Sequence, residues 1–221
     1  IRKAALDLNV KRVVIGECGH AWRVAYSFWN TLSGIGTGAE DEYAMRLQNQ
    51  LDSQYPQPQH MIEFTYDLIK NNKLTFEKSN NDHRVVTFHD SCNVARGSNM
   101  GDIENGQFIL PREVIKAACN NFIDMPKNTI KSSTFCCGGG AGLLTDDLID
   151  LRIKGAKPRM HALRKSEQES GVNTLAAICA ICKSQFSKVL PNYDFDPYMV
   201  VSVHQLVSDA IVLSESLKQK D

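Results

Sequence analysis

Five of the seven cysteines stand where they could share one inorganic centre. Cys92 is followed after a long gap by the adjacent Cys136 and Cys137, and after a second long gap by Cys179 and Cys182, a C-x-x-C pair. Thiolates are soft, strong ligands for iron and zinc, and a C-x-x-C pair can place two sulfurs on one metal or cluster. Adjacent cysteines pair poorly in a disulfide, and an odd count leaves one thiol over in any all-disulfide scheme. The chain is neither short nor cysteine-dense, so a reducing compartment with metal-bound or catalytic thiols fits best. Five thiols exceed the four of tetrahedral zinc, which favours a cluster. Gly138, Gly139, Gly140 and Gly142 leave room for a bulky core and offer backbone N–H groups that tune its potential. A helix beginning near Leu143 would turn its positive end toward an anionic cluster.

The glycine runs fail as phosphate loops. CCGGGAG has Leu143 where G-x-G-x-x-G needs glycine and is not followed by Lys-Ser/Thr, and the stretch Gly34 to Gly38 fails the same test.

The elements that must position these thiols read as an α/β fold with a mainly parallel sheet and flanking helices. Strands are expected at 11–16, 84–88, 122–125, 175–178 and 199–202. Helices are expected at 20–30, 60–71, 111–120 and 180–190, and as two pieces between 143 and 169. Pro111 suits a first helical turn and Pro158 a break. Ser202 and Gln205 resemble a capping box. Cys92 and Cys179 each follow a strand directly, where open parallel sheets build their sites.

The chain has 221 residues, 43% hydrophobic, with 25 basic and 25 acidic side chains. That suffices for one large or two small domains with a real core. Zero net charge argues against nucleic-acid or membrane-surface binding. No apolar run approaches the roughly 20 residues of a spanning helix. The first residue is Ile, and a preceding N-terminal part is expected.

The segments TFHDSCNVAR, FCCGGGAGLL and AAICAICKSQ resemble the cysteine-rich CCG domain of heterodisulfide reductase catalytic subunits. IGECGHAWR, HDSCNVARG, PREVIKAACN and LLTDDLIDLRIKGAKPRM are similar to a branch of that family, the K subunits of the Dsr membrane complex of dissimilatory sulfur metabolism. The resemblance spans essentially the whole chain. It implies an iron–sulfur oxidoreductase whose noncubane [4Fe–4S] cluster, held by Cys92, Cys136, Cys137, Cys179 and Cys182, cleaves or forms a disulfide or trisulfide. It also implies cubane [4Fe–4S] clusters upstream, on C-x-x-C-x-x-C runs absent here. The implied partners are a cytochrome b-type quinol-oxidising membrane subunit, other subunits of the complex, and a small sulfur-carrier protein with a cysteine-bearing tail. The implied place is cytoplasmic, peripheral on the inner face of the membrane. Two other functions stay open: a CCG subunit of a lactate- or glycolate-oxidising complex, and a structural metal module.

Relatives of this kind contain two CCG repeats. Residues 1–78 are expected to be the end of a first, degenerate half plus a linker, and residues 79–221 the cluster-binding domain. Aligning Val10 with Val172 sets Glu17 opposite Cys179 and His20 opposite Cys182; a one-residue shift matches Cys18 to Cys179. Glu17, Cys18 and His20 are therefore expected to face the cluster, with Glu17 or His20 protonating a leaving thiolate. His89 and Asp90 are candidates to support the ligands. Arg96 and Lys183 are candidates to balance cluster charge. Cys119 reads as a core thiol, His204 as structural, and Trp22 with Trp29 as one packed helix face.

Overall fold

The computed structural model describes residues 1–32, 42–142 and 144–213. The Gly34 to Gly38 stretch and Leu143 lie outside them. In chain order the elements are α1 (Arg2–Asp7), β1 (Val14–Ile15), α2 (Gly19–Leu32), α3 (Glu42–Gln50), β2 (Gln59–His60), α4 (Met61–Lys70), β3 (Val86–His89), α5 (Cys92–Ala95), α6 (Gly106–Ala118), α7 (Ile149–Ser170), β4 (Thr174–Ala177), α8 (Ala180–Val189), β5 (Val200–Ser202) and α9 (Val203–Ala210). The architecture is α/β, with parallel strands throughout, as the alternation of apolar runs and helices implies.

Two parallel sheets form: β1 pairs with β2, and a second sheet runs in the order β3-β4-β5. Every residue of β3 and β4 is buried, as expected for parallel strands covered on both faces. Successive side chains alternate between two apolar clusters. Val86, Phe88 and Ala176 join α6 and α9 residues such as Val114 and Leu206. Leu175 joins Met160 and Leu163 of α7 and Phe186 of α8. Phe88 and Phe186 are fully enclosed; burying each contributes about 1.5–3 kcal/mol. All five strands end toward one region, which receives Glu17, His60, Cys92, Cys179 and His204.

Several expectations need correction. Pro111 and Pro158 lie inside α6 and α7 rather than at a start or a break. A single helix spans Ile149–Ser170 because Arg152, Ala156, Arg159, Met160 and Leu163 bury one continuous face, and that packing outweighs a missing N–H at the exposed Pro158. The segment 122–125 makes only an isolated bridge between Phe122 and Val86. Ser202 caps α9 by accepting from His204 N, but Gln205 bonds Asp209 instead of closing a capping box. Cys119 is buried in the core. Trp22 is also in that core, whereas Trp29 packs against the small cluster of Ala5, Leu47 and Leu51.

Candidate iron–sulfur site

Three segments bring the five cysteines together. Cys92 opens α5 just beyond β3, Cys179 caps α8 just beyond β4 with Cys182 one turn on, and the CCG loop carries Cys136 and Cys137. Their sulfurs lie close enough to act on one another in series, from Cys92 through Cys136, Cys137 and Cys182 to Cys179. All are free thiols.

Two of the five thiols are drawn toward the thiolate. Cys136 is driven far below its ordinary value because Cys137 and Cys92 donate to it, with backbone N–H groups of Gly138 and Gly140 adding to the effect against burial. Cys179 is drawn down to about 4 by the Cys182 thiol, against burial, with help from the Cys182 and Gly19 N–H groups and the Ser91 hydroxyl. Cys137 is pushed up to about 12 chiefly by donating to Cys136. Cys92 rises for the same reason, and Cys182 rises because the Cys137 and Cys179 sulfurs lie against it and because it is buried. Thiolate character is therefore already preferred at two of the five positions.

Gly138 lets the loop lie against α7. Its φ is +90°, and a Cβ there would sit 2.3 Å from the Arg152 carbonyl oxygen and 3.0 Å from Ala156 Cβ. Gly138→Ala is expected to destabilise the fold by at least about 2 kcal/mol, since it combines backbone strain with a clash against helix backbone. A urea unfolding midpoint unchanged from the parent would refute this.

The surroundings fit a sulfur-rich anion. Buried polar atoms without partners among the described residues gather around the thiols: both ring nitrogens of His89, one of them a donor, with the donors Arg159 Nε, Arg152 Nη2 and Gln185 Nε2. One His89 ring nitrogen and the sulfurs of Cys137 and Cys182 lie within 4.8 Å of one another. The His89 ring stands edge-on to Phe186 at 4.8 Å. Unsatisfied buried donors are costly, and so many beside five thiols match what an iron–sulfur cluster requires of its shell.

Asp90 supports the site through structure. Arg112 donates to both its carboxylate oxygens at 2.8 Å, Lys131 N donates to Oδ2, and Thr134 Oγ1 donates to its carbonyl. Arg96 donates to the Thr134 carbonyl at 2.7 Å and lies close enough to Cys92 to favour its thiolate.

The first-half residues take distinct places. Gly19 N reaches Cys179, and a Cβ on Gly19 would lie 2.8 Å from Ser91 Oγ and 3.4 Å from Cys179 Sγ. Cys18 accepts from Ala21 N at 3.5 Å. His20 Nε2 is 3.0 Å from Asn93 Nδ2, and Arg23 donates to Asn93 Oδ1, which fixes the amide as donor to His20. His20 thus carries its proton on Nδ1, an enclosed atom without a partner among the described residues.

Glu17 is engaged elsewhere than expected. Its carboxylate accepts from Lys183 Nζ, from Ser202 Oγ at 2.6 Å and from His204, whose Nδ1 lies 2.6 Å away. Burial alone would raise its pKa, but the bonds from His204, Lys183 and Ser202 carry it down to about 2. Glu17 is therefore a fixed anion at neutral pH and holds no proton to donate. Lys183 is likewise committed to Glu17. His204, beyond its expected structural role, also bonds Thr65 Oγ1 at 2.9 Å. His60 sits buried beside this network, pressed down to about 3 by burial and so neutral.

The depressed Glu17 pKa sets a pH signature. The ionised form is preferred in the folded state, so its stabilisation is complete above about pH 4.5 and is lost as pH falls toward 2. Parent and Glu17→Gln are expected to differ by roughly 2–3 kcal/mol at pH 6. That gap should close between pH 4.5 and 2 in chemical unfolding; a pH-independent gap would contradict the assignment.

Comparison with known proteins agrees with this geometry. A family model, the CCG cysteine-rich domain, matches residues 86–187, which include all five converging cysteines. The chain is 38% identical over 97% of its length to Hdr-like menaquinol oxidoreductase iron-sulfur subunit 2 of Archaeoglobus fulgidus. It is 37% identical over 97% of its length to the corresponding iron-sulfur subunit of Archaeoglobus profundus. Over 70% of its length it is 30% identical to a Methanosarcina mazei protein, the D-type component of dihydromethanophenazine:CoB–CoM heterodisulfide reductase, of which it covers 34%. The chain spans about 40% of the length of the two Archaeoglobus relatives. No helix among the described residues is long and apolar enough to cross a membrane. Matched in motif, in site and along nearly its full length, the chain belongs to the CCG-domain, heterodisulfide reductase-like family of iron–sulfur oxidoreductase subunits.

Proposed function

We propose that this chain is the part of an iron–sulfur oxidoreductase at which a sulfur–sulfur bond is cleaved, or formed in the reverse direction. The observation that carries the reading is the convergence of five free thiols from three separate segments, ringed by unpartnered buried donors. Cys92, Cys136, Cys137, Cys179 and Cys182 are the residues that would hold a noncubane [4Fe–4S] cluster. When bound, such a cluster relays electrons singly to a bond that needs two.

The chain's own residues supply position and protons. Cleavage takes two electrons and two protons and releases two thiols. His20 follows Gly19 in the chain and is bonded through Nε2 to Asn93, the residue after Cys92, and it is the first-half residue suited to deliver one of them. Glu17, permanently ionised, fixes Lys183 next to Cys182 and so orients the α8 turn. The two separate parallel sheets support a division into a degenerate first half, 1–78, and a cluster-binding half, 79–221.

The activities for which the relatives are named, menaquinol oxidation and heterodisulfide reduction, support a wider assignment. In it, electrons come from a membrane quinol through a cytochrome b-type subunit and further cubane clusters outside this chain. The electron acceptor is a small sulfur-carrier protein of dissimilatory sulfur metabolism, and the complex is peripheral on the cytoplasmic face.

Anaerobically purified full-length protein tests the reading. Iron and acid-labile sulfide in equal amounts, with an EPR signal that changes on adding a disulfide or thiol, is the expected result. Zinc without labile sulfide would overturn it in favour of a structural metal module. A copurifying flavin subunit would redirect it to lactate or glycolate oxidation.

A further inference from the structure

A guanidinium taken out of water needs an anion nearby, because removing its hydration carries a heavy cost. Helix α7 takes two out of water: Arg152 is 2% exposed and Arg159 is 0% exposed. They are seven residues apart and therefore share one helix face, with Ala156 between them. Gly138 of the CCG loop rests on that face.

Neither arginine has a carboxylate within ion-pair distance among the described residues. Arg152 donates to Gln185 Oε1 and the Thr145 carbonyl, both at 2.9 Å. Arg159 donates to the Thr129 carbonyl at 2.6 Å, Thr134 Oγ1 at 2.7 Å and Met125 Sδ at 2.9 Å. Every one of these acceptors is neutral, and each guanidinium keeps one nitrogen without a partner. Asp90, the buried carboxylate that Arg159 does feel, is already gripped by both Nη atoms of Arg112, which Asp124 serves from the rim. The remaining acidic groups facing Arg159 are the thiols of Cys137, Cys182 and Cys136, and these are the proposed cluster ligands.

We infer that Arg152 and Arg159 are the counter-charge of the cluster, positioning residues that favour its binding and make its reduced form easier to reach. The inference rests on the cluster reading above. It adds that the protein stores positive charge at the site in advance, at a cost to the metal-free fold.

Two measurements on full-length protein test it: the cluster midpoint potential by EPR-monitored titration, and urea unfolding of the metal-free form. R152M and R159M are each expected to shift the potential negative, leaving at least about tenfold less reduced cluster at the parent's midpoint. The double variant should shift further, and R159K, which keeps the charge, should stay near the parent. The metal-free Met variants should unfold at the same or higher urea than the metal-free parent. An unchanged potential with iron and sulfide retained overturns the inference and leaves the cluster reading intact. Metal-free Met variants that are weakened or unfolded also overturn it, since the charges would then serve the fold itself. If the Met variants cannot be isolated, R159K decides by whether its potential tracks the parent. A parent without iron or labile sulfide overturns the cluster reading and this inference together.

Discussion

Cys137→Ser and Cys182→Ser are each expected to reduce bound iron by at least about tenfold after anaerobic reconstitution, whereas Cys119→Ser and Cys18→Ser should retain it. The contrast follows from geometry. Cys137 and Cys182 occupy the middle of the sulfur series, and each lies close enough to two other thiols to shift with them. Removing either splits the five into groups that no longer reach one core. Cys119 is walled into the apolar core with its thiol pushed up to about 11 by burial, so it is an inert packing group. Cys18 bonds only the backbone of its own helix turn among the described residues. Iron determination on the four variants separates the outcomes. Equal iron loss in all of them would mean that the thiols act through folding and not as a shared site.

The second large effect concerns the fold beneath the site. Asp90→Asn is expected to cost about 3 kcal/mol in urea unfolding, because it leaves the Arg112 guanidinium, 7% exposed, with only the rim carboxylate of Asp124. The same change loosens Lys131 N, which donates to Oδ2, and with it the segment leading to the CCG loop. A double-mutant cycle with Arg112→Leu isolates the pair. If Asp90→Asn alone costs under about 1 kcal/mol, the buried pair is not what holds this segment.

Much of the site was legible because cysteine spacing and strand ends point the same way. Apolar runs 84–88 and 175–178 predict strands, and Cys92 and Cys179 follow them at once; β3 and β4 end at His89 and Ala177. Other features were hidden for physical reasons. Proline marks a helix boundary only when nothing else stabilises the helix, and the buried face of α7 overrides Pro158. Arg152 and Arg159 were not singled out, because a sequence does not show which side of a polar helix is covered. The clue was Ala156, Met160 and Leu163 continuing the same stripe. His204 and His60 are far from Glu17 in sequence, and only the parallel strand ends bring them together. The repeat register likewise depends on the reference chosen. Counted from strand ends, Glu17 corresponds to Cys179; counted from helix starts, Cys18 does.

The turn after β1 grips the start of α8 twice. Ala180 N donates to the Glu17 carbonyl at 2.7 Å, and Lys183 Nζ reaches the Glu17 carboxylate. One anchor lies inside the C-x-x-C turn, directly after Cys179, and the other directly after Cys182. Any force that tilts α2 is therefore transmitted as leverage on Cys179 and Cys182. A protein docking against the N-terminal helices would have a stiff mechanical linkage to the metal-binding sulfurs, without touching them.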